Sequence, residues 1–357
     1  MYIAGIGLVF ARGRGIDSLG EALCDGWKPP SEQGCACSGK KLNLAYRVEQ
    51  EVLTGSAVLR KIRRADRFSK MAVLAACDAC GDSGISFTGR ESSLGIIVAT
   101  TFGPHATTFR FLDDVLDYND ADVSPTIFSH SVHNAAASYI ASVLDCRGPT
   151  LTITQFAFPF QHGLLLARAW LDEGRCDHVL VGTVDECGTA MEYICGSKLR
   201  IAEDGKIRPF DFSSSPSAVP GEGSVFFLLT RKESHKKYCR ISEVSLGGES
   251  IAQDRPNICI FGADGMAGDE STYRHAAPPY TTLAGYAPLF GSMMTGDGFH
   301  CAAAALMLEK QMRYANPVQD NPHDMNLCTM TEEAHMEDIH CIRIDCLHEK
   351  AVVRLKR

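Results

Sequence analysis

The chain has 357 residues, of which 45% are hydrophobic and 22% are charged. This composition is ordinary for a soluble globular protein and excludes a disordered or collagen-like chain. The 35 Lys and Arg residues and 43 Asp and Glu residues give a formal net charge of −8. No long basic run provides the attraction that nucleic-acid binding requires, so we expect protein or small-molecule partners and no nucleic acid.

The N-terminal segment MYIAGIGLVF is apolar but short, and no basic segment precedes it. It therefore predicts a buried first strand and not a signal peptide or membrane span. The 15 cysteines are scattered, which predicts packed thiols in a reducing, cytoplasmic compartment. The single CxxC motif, formed by Cys77 and Cys80, has no second pair to complete a zinc site. We expect no metal and no other cofactor.

Apolar, strand-like runs alternate with helical patterns along the chain, which predicts an α/β fold with a buried, parallel or mixed sheet. The predicted strands span 94–101, 149–156, 178–184, 223–230, 241–247 and 257–262, and the predicted helices span 66–80, 160–173 and 300–308. A Gly/Ser/Pro-rich loop and a highly charged stretch follow one another at 209–240. They predict a boundary between an N-terminal half, 1–238, and a C-terminal half, 239–357.

Five sequence blocks, taken together and in order, form a pattern that covers nearly the whole chain. They are RRADRFSKMAVLAACDACGDSGI (63–85), HNAAASYIASVLDCRGP (133–149), TLTITQFAF (150–158), ARAWLDEGRCDHVLVGTVDE (167–186) and RPFDFSSSPSAVPGEGSVFFLL (208–229). This order resembles the β-ketoacyl synthase family of the thiolase superfamily. The resemblance implies a five-layered α-β-α-β-α fold made of two similar halves, here with a shortened C-terminal half. It also implies a dimer formed across the strand before the nucleophile elbow.

The resemblance further implies catalytic groups that this sequence lacks. In the family, a Cys at a helix N-terminus takes the acyl chain from an acyl carrier protein, and two His and a Lys assist decarboxylation of malonyl carrier protein. Alignment to the family pattern places Ala157 at the Cys, Phe261 or Asp264 at the first His, Ser292 at the Lys and Asp297 at the second His. A methyl group cannot be acylated, and none of the other replacements is an imidazole or an amine. The family's closing glycine-rich loop is also absent, because the segment 345–348 reads DCLH.

The loss of all these groups on a preserved fold predicts a catalytically silent subunit. In this respect the chain resembles the chain-length factors of type II polyketide and aryl-polyene systems, which are silent members of the family. The chain would form a heterodimer with an active, Cys-bearing β-ketoacyl synthase, and the partner would perform decarboxylative Claisen condensation on acyl-carrier-protein substrates in polyketide, aryl-polyene or fatty-acid-like biosynthesis. Because the chain is acidic, we expect the partner to carry most of the basic surface that docks the acidic carrier protein.

Eight residues are candidates for the tunnel wall and the subunit interface: Phe102, Thr107, Phe109, His133, Asn134, Phe156, Phe158 and Phe160. The last three flank Ala157 and predict a plugged acyl pocket, with ordinary core packing as the alternative. The first three predict a limit on product length, with ordinary interface packing as the alternative. His130 and His133 are expected to be polar interface residues and not metal ligands.

Three other functions remain open. One is a decarboxylase of malonyl carrier protein, for which His300 is a candidate replacement histidine. A second is a hydrolase or acyltransferase with a relocated nucleophile, either Cys187 or Cys301. The third is a regulatory homodimer.

Several charged residues near the predicted site also carry expectations. If Asp264 and Asp297 converge in a partly apolar cavity, one of them could hold a proton and act in acid/base chemistry; the alternative is that each is solvated or bonded to nearby amides. Arg208, Asp211 and Glu222 are expected to brace the elbow, because buried charges must be paired.

Overall fold

The structure is a computed structural model that describes residues 1–32, 44–85, 87, 93–118, 123–213, 217–247, 255–266 and 269–357. Its strands are β1 (Tyr2–Phe10), β2 (Gly13–Arg14), β3 (Ser31–Glu32), β4 (Leu44–Ala45), β5 (Leu94–Thr100), β6 (Thr150–Thr154), β7 (His178–Asp185), β8 (Gly223–Thr230), β9 (Arg240–Leu246), β10 (Ile258–Phe261), β11 (Thr282–Ala284), β12 (Met312–Arg313), β13 (Glu332–Glu333), β14 (Asp338–Ile344) and β15 (Lys350–Lys356). Its helices are α1 (Ile16–Asp25), α2 (Ala57–Lys61), α3 (Arg67–Ser83), α4 (His105–Tyr118), α5 (Pro125–His130), α6 (Ala135–Val143), α7 (Pro159–Asp172), α8 (Thr189–Lys198), α9 (Glu270–Ala276) and α10 (Asp297–Lys310).

The large sheet contains the same strand arrangement twice. Its order is β11-β10-β14-β15-β9-β1-β8-β7-β5-β6, with β2 paired to β1. In each group of five, the strands lie in the order first, fifth, fourth, second, third of that group, and the fifth strand runs antiparallel to both of its neighbours. The two groups meet where β1 pairs with β9, at Tyr2 and Arg240.

Helices separate the two groups of strands into layers. α7 packs on β5 and β7 of the first group and also contacts β9 and β15 of the second, while α10 packs on β10, β14 and β15 and also contacts β8. These two helices therefore form a middle layer. α3 and α6 cover the outer face of the first group, and α9 lies on the second through Tyr273, whose ring centroid is 5.0 Å from that of Phe261. The result is the five-layered α-β-α-β-α arrangement.

The close approach of α3 to β1 depends on glycine. Asp66 caps the N-terminus of α3, because its carboxylate accepts the backbone N–H of Ser69, and Gly84 caps the C-terminus. A Cβ on Gly7 of β1 would lie 2.1 Å from the carbonyl oxygen of Ala75, so no larger residue fits there. This contact buries the apolar side of α3 against the sheet.

The elements predicted from the sequence are present, with shifted ends. The predicted first strand is β1, which is buried along most of its length. The predicted helix at 300–308 is the central part of α10, which starts three residues earlier at Asp297. Among the described residues, no helix has the length and apolar character needed to cross a bilayer.

Candidate functional site

The elbow geometry is present before α7. Phe158, which precedes the first residue of the helix, has φ 55° and ψ 40°, a left-handed conformation that is rare for a bulky residue. Pro159 then begins the helix, where its missing N–H costs nothing. Ala157 immediately precedes this strained turn and is half-buried. The turn thus presents a methyl group at the position where alignment places the family's nucleophile.

The three phenylalanines near Ala157 do not form one cluster, so the predicted plug is wrong for Phe156. That side chain is 66% exposed, and its ring meets the ring of Phe102 edge to face at 5.3 Å. Phe160 packs in the core against Phe227, and Phe158 is buried. The physical reason is the left-handed turn, which directs the chain before Phe158 to the surface and the chain after it into the core.

A buried ion cluster lies where the ends of β10 and β14 meet the start of α10. The guanidinium of Arg343 donates to the carboxylate of Asp264 at 2.8 Å and to the carbonyl oxygen of Gly262 at 2.8 Å. Asp297 lies 4.0 Å from the same guanidinium. A Cβ on Gly262 would lie 2.7 Å from Cδ of Arg343 and 2.8 Å from Oδ1 of Asp297, so glycine makes this approach possible.

The two aspartates therefore converge. The expectation of solvation is wrong, whereas a bond to a nearby amide is present, since Asp264 accepts the N–H of Met266 at 3.1 Å. Both are buried, because they share Arg343 as a counter-ion. Burial raises the pKa of Asp297, and the charge of Arg343 opposes that shift. Burial by itself would lower the pKa of Arg343, but the charges of Asp264 and Asp297 raise it by more, so the net shift of this pKa is upward. Gln161, in the first turn of α7, donates to Asp297 at 2.8 Å and so ties the two middle helices together.

Sequence reasoning missed Arg343 and Gln161. A signal existed for each, since Arg343 is a lone charge in the apolar strand IHCIRI and Gln161 lies in the buried start of α7. A charged or polar residue in such a run needs a buried partner. The sequence does not show that the two partners are aspartates from other segments.

Ser292 and His300 hold structural positions beside this cluster. The hydroxyl of Ser292 donates to the carbonyl of Asp264 and accepts the N–H of Val219 at 2.9 Å. Nδ1 of His300 lies 3.1 Å from the carbonyl oxygen of Gly296. Burial, reinforced by the charge of Arg343, lowers the pKa of His300 to about 3. This imidazole is therefore neutral at physiological pH and enclosed, unlike an exposed catalytic base.

Glu222 forms a buried ion pair, but with a partner other than Arg208, and its contacts lie with α3 and with the segments around Val48 and Cys187. It is fully buried and forms an ion pair with Arg67 of α3. Its carboxylate also accepts the N–H of Cys187 at 3.1 Å, which links α3 to the segment after β7. The buried charge is thus paired, as it must be.

Arg208 and Asp211 form their ion pairs and hydrogen bonds with other residues, so the expectation that they brace the elbow together with Glu222 is wrong. Arg208 pairs with Asp204 and Asp320, both partly exposed. Asp211 accepts the N–H of Ser213 in a local turn. These contacts hold a surface loop. The partner of Glu222 is Arg67 of α3.

The cysteines proposed as relocated nucleophiles are buried. Burial raises the pKa of Cys187 to about 11 and raises that of Cys301, which also contacts Cys341, well above its ordinary value. A thiol needs to ionise and to meet its substrate in order to react. Neither condition holds for these two residues. Among the described residues, no group of three or more His, Cys, Asp or Glu side chains is arranged to hold a metal ion.

The remaining interface candidates lie around α4. The hydroxyl of Thr107 donates to Asp66 at 3.0 Å. The ring of His133 lies against Gly103, and Asn134 is exposed at the start of α6. Nε2 of His130 is 2.6 Å from the hydroxyl of Tyr139.

An exposed apolar surface surrounds these residues. Its members come from α4, α5, β6 and the elbow, and β6 forms the last strand at one end of the sheet. We call this surface the apolar face; it comprises Phe109, Leu112, Leu116, Phe128, Leu151 and Phe156, and the half-buried Phe102 lies against Phe156. Exposed apolar side chains near the last strand of a sheet are typical of a protein–protein interface.

Glu186, at the end of β7, provides a test of these burial effects. Burial raises its pKa to about 8, although its carboxylate accepts the N–H of Ala106 at 2.9 Å. The native chain therefore keeps this proton between about pH 4.5 and about pH 8, where the unfolded chain loses it, so stability falls as pH rises through this window. We expect Glu186→Gln to flatten the fall, because the amide oxygen still accepts from Ala106 but cannot ionise.

Urea unfolding at about pH 5.5 and about pH 8 measures the effect of Glu186→Gln. The exposed Glu203 supplies the control, and Glu203→Gln should leave the pH dependence as it is. Equal pH slopes in the wild type and in Glu186→Gln would contradict the assignment.

A sequence profile of the β-ketoacyl synthase N-terminal domain matches residues 2–235. The chain belongs to the β-ketoacyl synthase family. This confirms the family predicted from the five sequence blocks. The curated relatives include polyketide β-ketoacyl synthase 1 of Streptomyces cyaneus, 23% identical over 270 residues, and oxytetracycline polyketide β-ketoacyl synthase 1 of Streptomyces rimosus, 23% identical over 200 residues. These matches cover 70% and 51% of this chain but only 63% and 47% of the relatives' lengths.

Solved ketosynthase structures share the fold of the whole chain. The ishigamide ketosynthase/chain length factor matches with a TM-score of 0.81 and 16% identity, over 99% of this chain and 98% of that one. AntDE, solved in complex with AntF, a type II polyketide synthase acyl-carrier protein, matches with a TM-score of 0.81 and 14% identity, over 99% of this chain and 98% of that one. The predicted thiolase-like fold is thereby confirmed.

Proposed function

We propose that this ketosynthase-like chain is a non-catalytic chain-length factor. It pairs with an active β-ketoacyl synthase and shapes the tunnel in which that partner condenses acyl-carrier-protein substrates. The observation that carries the proposal is the elbow, which keeps its strained turn at Phe158 but presents the methyl group of Ala157. A methyl group offers no nucleophile for acyl transfer.

The buried ion cluster supports the same conclusion. Alignment places Asp297 at the second histidine and either Phe261 or Asp264 at the first, and both aspartates are engaged by Arg343. Carboxylates that neutralise a buried guanidinium cannot stabilise an enolate, which needs hydrogen-bond donors or positive charge. The cluster opposes a decarboxylase for this reason, and the burial of Cys187 and Cys301 opposes a relocated nucleophile.

The apolar face supports the pairing with a second subunit. It includes Leu151 of β6, the last strand of the sheet, and the chain runs from β6 directly into the elbow. A partner that covers this face would approach Phe102 and Phe156, which already touch each other. We therefore assign to Phe102 the role of limiting product length from this side of the interface.

A local basic cluster on this chain supports a contact with the acidic carrier protein. Arg60, Lys61, Arg63 and Arg64 are exposed around the end of α2, and none of them forms an ion pair within the part of the chain that the structure describes. Asp66, two residues further on, bonds to Thr107 of α4, which places the cluster close to the apolar face. The net charge of −8 is a sum over the whole chain and so gives no sign of this local basic cluster.

We expect the double variant Lys61→Glu/Arg64→Glu to weaken carrier-protein binding to the assembled complex by about tenfold or more at low salt, chiefly by slowing association. Stopped-flow or surface-based kinetics on the complex would measure it. Arg175→Glu, on an exposed turn at the far end of α7, reverses one such charge elsewhere and should have little effect. Equal losses in the two proteins would contradict a local docking site.

The proposed function is tested by co-expressing the chain with the ketosynthase encoded beside it and capturing the complex through this chain. The captured complex is then incubated with acyl and malonyl carrier proteins, and intact-mass spectrometry measures the mass of each subunit to detect acylation. We expect a 1:1 complex in which only the partner becomes acylated, and longer products from complexes that carry Phe102→Ala. Acylation of this chain, or release of carbon dioxide by it alone, would refute the proposal.

A further inference from the structure

A pocket of about 210 Å³ opens at the end of the fold opposite the elbow. It lies between the last turn of α7, the residue that follows β8 and the first residues of β9. The elbow is at the N-terminus of α7, so the length of this helix separates the two sites. Three arginines line the pocket: Arg168, Arg231 and Arg240.

Two of these guanidinium groups are held by backbone carbonyls. Arg231 donates to the carbonyl oxygens of Leu171 at 3.1 Å and Asp172 at 3.3 Å. Arg168 makes a longer bond, 3.4 Å, to the carbonyl oxygen of Ser242. Carbonyls orient a guanidinium but carry no net charge, so both arginines keep their full positive charge at the pocket wall.

The charges of the pocket do not balance. Arg240 is exposed and forms no ion pair with any residue that the structure describes. Asp172 is the one acidic residue in the lining, and its carboxylate lies 4.0 Å from Nε of Arg231. The N-terminal ammonium of Met1 also lines the pocket, so three guanidinium groups and one ammonium group face one carboxylate on a chain whose net charge is −8. Like charges held together repel one another, and a bound anion would relieve that repulsion.

We infer that Arg168, Arg231 and Arg240 form a binding site for a small dianion of the phosphate or phosphomonoester class. Arginine matches phosphate because its planar fork of N–H donors binds two oxygens at once. Pockets for drug-sized ligands measure about 300–1,000 Å³, so this pocket suits a phosphate group with a few further atoms. A doubly charged anion also offsets more of the positive excess in the lining than a singly charged anion does.

Binding here would join elements from both groups of strands. Arg168 belongs to α7, whereas Arg240 begins β9 and pairs with Tyr2 at the junction of the two groups. An anion that contacts both arginines would hold α7 against this junction. We therefore expect the ligand to raise the unfolding temperature of the whole chain.

The test uses the untagged chain and inorganic phosphate as the probe, with sodium chloride adjusted to constant ionic strength. Calorimetry should show saturable 1:1 binding, and the unfolding temperature should rise with phosphate but not with chloride. Glycerol 3-phosphate distinguishes the two sources of the chemistry: tighter binding than phosphate identifies a phosphomonoester site, and equal or weaker binding identifies a site for free phosphate.

Substitutions locate the binding. Arg231→Gln/Arg240→Gln should weaken phosphate binding at least about tenfold, equivalent to about 1.4 kcal/mol. Arg240→Gln alone removes an exposed side chain, so it reports on binding even if the double variant fails to fold. Lys232→Gln removes the neighbouring charge outside the pocket and should bind as the wild type does. Binding that is unchanged in both arginine variants, or a temperature shift reproduced by chloride, would overturn the inference.

Discussion

Replacing Arg343 with Met is expected to destabilise the chain by about 3–5 kcal/mol, because removal of one partner leaves the other charges of a buried ion pair uncompensated. Asp264 bonds directly to this guanidinium, and Asp297 lies 4.0 Å from it. Both carboxylates are almost fully buried, so neither can be solvated in the variant without local unfolding. Urea unfolding at neutral pH measures the loss as a lower transition midpoint.

Two further variants separate loss of charge balance from loss of packing. The triple variant Arg343→Met/Asp264→Asn/Asp297→Asn removes every charge of the cluster and should recover much of the lost stability. Arg175→Met breaks an exposed pair with Glu173, and such pairs contribute only about 0–1 kcal/mol. If Arg343→Met shifted the midpoint no more than Arg175→Met does, the cluster would not be a major source of stability.

Replacing Phe156 with Asp should reduce affinity for the proposed ketosynthase partner by about 30-fold or more, since a central aromatic anchor typically contributes about 2 kcal/mol or more to an interface. Phe156 is the exposed aromatic residue of the elbow, and it follows the last residue of β6 by two positions. A carboxylate at this position would have to be desolvated on assembly. Co-purification yield and sedimentation of the mixed subunits would measure the change.

Tyr280 provides the matched control for Phe156. It is another large aromatic residue, 89% exposed, and it lies in the second group of strands just before β11. Tyr280→Asp should assemble as the wild type does, since this site lies outside the apolar face. Normal assembly of Phe156→Asp would contradict the interface, and thermal unfolding of the isolated variants would show that both are folded.

Local patterns were enough to predict the elements and the family. The buried strand GSVFFLLT and the helix that begins after Asp66 depend on residues close together in the chain, and the structure places them as predicted. The replacement of the catalytic groups stays a prediction from the sequence, because it depends on which residue the alignment places at each motif position. The boundary at 238/239 stays a proposal, although β8 ends and β9 begins on either side of it.

Only the tertiary structure decided which charges meet and which aromatic residues face solvent. Arg343 and Asp264 are 79 residues apart, and Gln161 and Asp297 are 136 apart, so no local pattern relates them. Phe156 and Phe160 look alike in sequence, yet the left-handed turn at Phe158 sends one outward and the other into the core. Residue type and spacing determined secondary structure and family, because these depend on short-range geometry. The pairing of buried charges and the apolar face depend on how distant segments pack, and one sequence does not encode that in any local pattern.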